Sequence, residues 1–456
     1  MDTPVYDFIN EYVSKNPVRL HMPGHKGSHV SDITEIDGAD FLMSPEGIIA
    51  RSEENAGRLF GAHTFYSTEG SSLCIRAMLF LIKKKAEFFG RRPYILAGRN
   101  VHSSFLYAAT VLDIDVDFIM QHEQDSYECC RISGTDIEVA LKSCEKNRKN
   151  GADNNRIPDA LYVTSPDYLG NMLDIREIAD YCHRYGVTLL VDNAHGSYLK
   201  FLKTSRHPID LGADMCCDSA HKTLPVLTGG AYLHISENTD AFFKNFAKQA
   251  MSVFATTSPS YLVLQSLDVC NSYLEGNESI RKTAGRIEKL KKKLSGLGYG
   301  IIGNEPLKIT IGFEVESERQ PGNALADFLK SRDIYVEYHD PAHVVMMFST
   351  ENSPEDLCIV EKAFEEAGSC FAFEKKKTVM ETGGGNADRK KRPERGMSFH
   401  DALFADSEQI DVKESIGRIL AEPLVHCPPC VPVYMLGEII GEDILRFHSG
   451  KIRVVK

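Results

Sequence analysis

The chain has 456 residues, 43% of them apolar and 25% charged, enough to bury a large core in two domains plus a terminal arm. Lysine and arginine number 52 against 64 acidic residues, and the net charge of -12 argues against nucleic acid or an anionic membrane as the main partner. No apolar run approaches the ~20 residues that span a bilayer, and Met1-Asp2-Thr3-Pro4 opens no secretory signal, so a cytoplasmic location is expected.

Residues 1–60 show little periodicity beyond a short helix near Tyr6 to Tyr12, and contain the turn His21-Met22-Pro23-Gly24-His25-Lys26-Gly27. They read as an N-terminal arm. Over 61–280, short β-type apolar runs alternate with helical patterns, the signature of a large α/β domain with a mostly parallel sheet. Pro93 to Ala97, Ala160 to Thr164, Thr188 to Val191 and Ala231 to Ile235 are the clearest strands. Ile175, Ile178, Ala179 and Cys182 recur at helical spacing, which predicts an amphipathic crossover helix over 174–185. Ser279 to Leu294 reads as a basic surface helix leading into a smaller C-terminal α/β domain, 281–456, with strands near Leu307 to Phe313, Tyr335 to Tyr338 and Val344 to Phe348. Within it, about 374–395 is rich in Lys, Arg, Gly and Glu without an apolar period, and a mobile linker is expected there. Twelve cysteines, two pairs of them adjacent, do not form a disulfide framework and read mostly as reduced core residues.

Ligands of open α/β sheets sit beyond the carboxyl ends of the strands, so the residues that follow each apolar run carry the chemistry. Here they are Asp192-Asn193-Ala194-His195-Gly196 and Asp218-Ser219-Ala220-His221-Lys222-Thr223. A pyridoxal 5'-phosphate cofactor needs a lysine for its aldehyde and a carboxylate to keep its ring nitrogen protonated; Lys222 and Asp192 fill those roles. It also needs a phosphate cradle, and Glu69-Gly70-Ser71-Ser72 immediately precedes an apolar helix whose N–H groups suit an anion. Taken singly, such an Asp caps a turn, such a Gly-Ser-Ser caps a helix, and a loop Lys is solvated. Their joint order along one domain is what points to the cofactor. Lys26, in the second His-Lys pair, follows no strand and is the poorer choice. His102, after the strand at 93–97, reads either as an imidazole that stacks on the ring or, taken alone, as a surface histidine.

These residues resemble the class-I ornithine/lysine/arginine decarboxylases of bacteria, in the short form without an N-terminal receiver-like wing domain. The resemblance runs through Arg19 to Gly27 (RLHMPGHKG), Asp32 to Gly47, Gly70 to Ser72, His102, Val191 to Gly196 (VDNAHG), Ser219 to Leu224 (SAHKTL), Thr257 to Tyr261 and Ile416 to Pro429, in the family's order. It implies pyridoxal fold type I, the aspartate-aminotransferase-like architecture. It also implies decarboxylation of a basic amino acid to an amine that feeds polyamine metabolism. By the same resemblance, Lys222, His221, Asp192 and His102 are catalytic. Gly70, Ser71, Ser72, His102, Asp192, Ala194, His195, Ser219, His221 and Lys222 hold the cofactor, with Lys222 or His221 as proton donor. Thr257 reaches toward the cofactor of a neighbouring subunit, so a homodimer or an assembly of dimers is implied. No metal is expected, although Cys427-Pro428-Pro429-Cys430 beside His426 departs from the family's Tyr-Pro-Pro-Gly. Glu69, Asn193 and Gly229-Gly230 are further departures. Glu46, Glu422 and Glu438 are candidates for reading the substrate's distal charge. An aminotransferase or lyase is the alternative, with Arg99, Arg206 or an arginine of the small domain as its carboxylate clamp.

Overall fold

The computed structural model describes residues 1–456 except 29, 124, 150–156, 277, 316–319, 371–390 and 392. Its central sheet has strands β1 (Ala62–Ser67), β2 (Tyr94–Gly98), β3 (Asp115–Ile119), β4 (Ala160–Thr164), β5 (Thr188–Asp192), β6 (Met215–Asp218) and β7 (Ala231–Ser236), in the order β1-β7-β6-β5-β4-β2-β3. The pairs from β3 through β6 are parallel, whereas β7 runs antiparallel to both β6 and β1. The sheet is thus mostly parallel with one reversed strand. Successive residues of β5 and β6 point to opposite faces. Leu189, Val191 and Cys216 enter one apolar cluster, and Leu190, Met215 and Cys217 the other, so both faces are covered and the strands read as unbroken apolar runs.

The helices of this part are α1 (Pro4–Ser14), α2 (Ile48–Phe60), α3 (Gly70–Phe88), α4 (Ser103–Val111), α5 (Gly134–Lys149), α6 (Ile175–Arg184), the short α7 (Ala220–Thr223), α8 (Ala241–Ser252) and α9 (Tyr261–Gly276). On α6 the buried residues are Ile175, Ile178, Ala179 and Cys182, the stripe that the spacing predicts, and Asp174 caps it by accepting from the Glu177 N–H at 3.1 Å. The N-terminal segment is docked: Val5 and Ile9 are fully buried, and the N–H groups of Val5 and Tyr6 donate to Asp268 Oδ2 on α9 at 2.9 and 3.0 Å.

Helix α10 (Glu278–Gly296) leads into a four-stranded antiparallel sheet of order β10-β11-β9-β8, made of β8 (Gly300–Ile302), β9 (Lys308–Gly312), β10 (Tyr338–His339) and β11 (His343–Met347). Strand β10 is shorter than the run at 335–338 suggests. It is an edge strand whose ladder with β11 begins at Tyr338, with Glu337 adding one further backbone bond to Val345. The segment expected to be a mobile linker lies almost wholly outside the described residues. Its last residue, Arg395, packs on Phe399 and donates to the Val116 carbonyl. The chain then returns to the large sheet, where Phe399, Ala402, Met435 and Leu436 join the cluster formed by α3 and α4. Among the described residues no helix is long and apolar enough to cross a membrane.

Candidate active site

Asp192 ends β5 and is 3% exposed. The parallel register sets it between Thr164 of β4 and Cys217 of β6. Its Oδ2 accepts from the Tyr162 hydroxyl at 3.1 Å and its Oδ1 from the Ala194 N–H at 3.2 Å, so the carboxylate is held by the turn it opens. That turn is tight: the Gly196 N–H donates to the Asn193 carbonyl at 2.7 Å, and a Cβ on Gly196 would lie 2.0 Å from Asn193 Oδ1. The turn delivers buried His195, whose Nε2 is 3.2 Å from Lys222 Nζ on α7. Lys222 itself is exposed. Burial pushes the titration of His195 well below the ordinary imidazole range, and the neighbouring Lys222, Lys308, His102 and His221 push it the same way.

The expected phosphate cradle lies at the start of α3. Gly70 has φ +70°, a left-handed conformation that suits glycine, and its N–H donates to the Gly229 carbonyl at 2.7 Å. Glu69 stands at the N-cap but makes no cap bond; its carboxylate instead accepts from the Thr256 N–H at 2.8 Å. The first turn of α3 carries no acidic residue, and nothing lies within 4 Å of a Cβ built on Gly70. Around this uncapped end the Ser71 and Ser219 hydroxyls meet at 2.8 Å, and those of Ser72 and Ser104 at 2.7 Å. A positive helix end, open space and four convergent hydroxyls fit a phosphate. With Asp192 and Lys222 at the neighbouring strand ends, the residues fit pyridoxal phosphate as a whole.

His102 caps α4, its Nδ1 accepting from the Ser104 N–H at 3.1 Å. Burial lowers its titration, Asp192 opposes that and Lys222 adds to it, so the ring shares the field of both groups. His221 faces the Gly230 carbonyl through Nδ1 at 3.1 Å, and burial lowers its titration too. Ala194 is buried beside Asp192. Thr257 is exposed and adjoins the Thr256 tie to Glu69. Lys26 is exposed and spends its ammonium on the His21 carbonyl.

Other sequence candidates are engaged elsewhere. Glu438 is buried, accepting from the Met435 N–H at 2.7 Å and lying 3.5 Å from Arg99. Arg99 is itself 4% exposed and holds the Pro432 and Val433 carbonyls at 2.9 and 3.0 Å, which fastens the C-terminal segment to the large domain. Arg206 donates to the Asn304 carbonyl. Glu46 and Glu422 are exposed, Glu422 3.7 Å from Arg453.

Sequence reasoning missed several residues. Tyr162 and Ser104 hold Asp192 and Ser72. Asp218, fully buried, accepts from Asn193 Nδ2 at 2.6 Å and lies 3.1 Å from His207 Nε2 and 3.3 Å from His234 Nε2. Burial works to raise its titration, but the two imidazoles outweigh it and hold the carboxyl well below its usual range. Lys308, buried at the start of β9, places its Nζ 3.3 Å from His195 Nδ1. Its only signal in the sequence is a cation at the mouth of an apolar strand. Tyr168 packs edge-on against His195 with centroids 5.5 Å apart and donates to Glu337 at 3.0 Å. Glu337 lines a cavity of about 760 Å³ together with Tyr127, Tyr338, Asp340 and Cys427.

The family model described as Orn/Lys/Arg decarboxylase, major domain, matches residues 27–297. The chain belongs to the Orn/Lys/Arg decarboxylase family. It is 29% identical to an arginine decarboxylase of Bacillus subtilis (strain 168), over 98% of this chain and 93% of that protein. An arginine decarboxylase of Halalkalibacterium halodurans is 28% identical over 98% of this chain and 92% of its own length. In fold, the lysine decarboxylase LdcF of Francisella novicida superposes with a TM-score of 0.80 at 16% identity, covering all of this chain and 81% of that one. The expected fold type I and pyridoxal phosphate dependence stand with this membership, and the chain is a decarboxylase of that class.

Proposed function

We propose that the chain decarboxylates arginine, ahead of lysine and ornithine, and that Lys222 carries the cofactor. The observation that supports this reading is the placement of Lys222, Asp192 and the Ser71/Ser219 hydroxyls at the carboxyl edge of one sheet. The arginine decarboxylases among the relatives favour arginine. When bound, pyridoxal phosphate supplies an electron sink conjugated to the substrate's α-carbon. The chain's own part is positional and electrostatic. Ser71, Ser72, Ser219 and the α3 N–H groups would bind the phosphate; Asp192 would keep a proton on the ring nitrogen; His102 and Ala194 would pack on the ring; Lys222 or His221 would return a proton to the substrate's α-carbon as carbon dioxide leaves.

A decarboxylase gains from leaving the substrate α-carboxylate without a bidentate arginine, because such a pair stabilises the charged ground state and opposes departure of neutral carbon dioxide. The prior engagement of Arg99 with Pro432 and Val433 supports that reading over an aminotransferase. For the cationic tail, Glu337 in the cavity beside Tyr168 is the better candidate than Glu438, which is already bound. The exposed Thr257 segment fits a role at the cofactor of a second subunit in a homodimer, with the amine product passing to polyamine synthesis. The test is carbon dioxide release from arginine, lysine, ornithine and norleucine in parallel, with product identification. Gas from arginine together with agmatine is the expected result; comparable efficiency on norleucine, or a keto-acid product, defeats the proposal.

A further inference from the structure

His195 lies between two lysines, with Lys222 Nζ 3.2 Å from its Nε2 and Lys308 Nζ 3.3 Å from its Nδ1. A neutral imidazole has one N–H and one lone pair, so it accepts a hydrogen bond at one nitrogen and donates at the other. It cannot accept from two ammonium groups. The doubly protonated ring is opposed by burial and by the four basic groups around it, Lys222, Lys308, His102 and His221. At most one of the two lysines can therefore donate to His195, and a hydrogen bond between His195 and the other requires that lysine to accept.

The surroundings decide which. Lys308 is 3% exposed and has an acceptor for each of its three ammonium hydrogens: the Asp167 carbonyl at 3.2 Å, the Tyr168 carbonyl at 3.1 Å and His195 Nδ1. The Tyr168 ring lies 5.6 Å from the same nitrogen, and the carboxyl groups of Glu305, Asp167 and Glu337 act on it as well. Burial pulls its titration down to about 8, which leaves it charged at neutral pH. Lys222 sits on the open side of the site, with its nitrogen toward His195 Nε2.

We propose that Lys308 is a positioning residue for Lys222: by donating to His195 Nδ1 it fixes the Nε2–H tautomer, which turns an N–H toward Lys222 and holds that amine as a hydrogen-bond acceptor. An amine that accepts a hydrogen bond carries its lone pair, the form that adds to a carbonyl carbon. The small domain thus supplies, through one imidazole, the condition under which the large domain's lysine captures the cofactor aldehyde. The inference rests on the assignment of Lys222 made above.

The experiment is ¹⁵N NMR of the full chain labelled at histidine, with the His195 signals identified by their loss in His195→Asn. The expected spectrum shows Nε2 protonated and Nδ1 bare in the unaltered protein, so no folding-sensitive variant is needed for the first answer. Lys308→Met should move the signals toward the Nδ1–H tautomer and slow capture of pyridoxal phosphate by the cofactor-free chain at pH 7 by tenfold or more, read as growth of the cofactor absorption band. Lys308→Arg, which keeps the charge, should restore both. An Nδ1–H tautomer in the unaltered protein, or signals and capture rate unmoved in Lys308→Met, overturns the proposal. These readouts do not involve carbon dioxide release, so a chain that fails the substrate test can still pass this one, and the reverse.

Discussion

Asp192→Asn isolates the charge of the carboxylate from its shape. The amide oxygen can still accept from the Ala194 N–H and the side chain still fills the same buried space, so folding and cofactor content should change little. What disappears is a negative charge at a site 3% exposed. A unit charge facing a protonated ring nitrogen at hydrogen-bond range, ~3 Å, in an effective dielectric of about 20 is worth about 5 kcal/mol. At ~1.4 kcal/mol per decade this predicts a loss of three to four powers of ten in the chemical step. The assay is single-turnover carbon dioxide release, normalised to cofactor bound per chain and run beside a urea unfolding curve. A loss under tenfold at full occupancy refutes the electrostatic role; a large loss accompanied by a collapsed unfolding midpoint shows that Asp192 acts through folding instead.

Lys222→Ala should abolish the borohydride-reducible cofactor adduct and nearly all turnover, whereas Lys26→Ala, altering an exposed ammonium bound to a backbone carbonyl, should leave the adduct intact; peptide mapping of the reduced adduct decides between them. Burial raises Asp268 from 3.8 to about 6, so ionising it costs folding stability that first appears above the unfolded value and is fully felt above the folded one. Relative to Asp268→Asn, the unaltered protein should therefore lose about 3 kcal/mol between pH 3 and pH 7, seen as diverging urea midpoints. A gap that is constant or narrows with rising pH contradicts the assignment.

Much of this site was legible because its residues follow a positional rule. Asp192, Lys222 and Ser219 come immediately after apolar runs, and a strand that reads clearly also announces what lies at its end. The crossover helix was legible for a related reason, since Ile175, Ile178, Ala179 and Cys182 meet one surface and must repeat at its period. Lys308 was not, because it approaches His195 from a strand of another sheet and no local spacing encodes that meeting. Asp218 was read as part of a polar turn; only the tertiary arrangement of His207 and His234 reveals it as the support of Asn193. Glu438 illustrates the converse: a glutamate that the sequence offers as a substrate reader is engaged in fastening Arg99 and the Met435 N–H, a contact no local spacing announces.

The loop after β4 is gripped by the segment that begins the small domain. Asn304 and Glu305 N–H groups converge on the Gly170 carbonyl, Lys308 holds the carbonyls at 167 and 168, and Tyr198 donates to Glu305. These side-chain contacts join positions 107 to 141 residues apart. Closing such loops costs chain entropy before any contact rewards it, so this seam belongs among the last parts of the molecule to form as it folds. A newly made chain can therefore complete its large sheet, and present Lys222 on it, before His195 has met its second lysine.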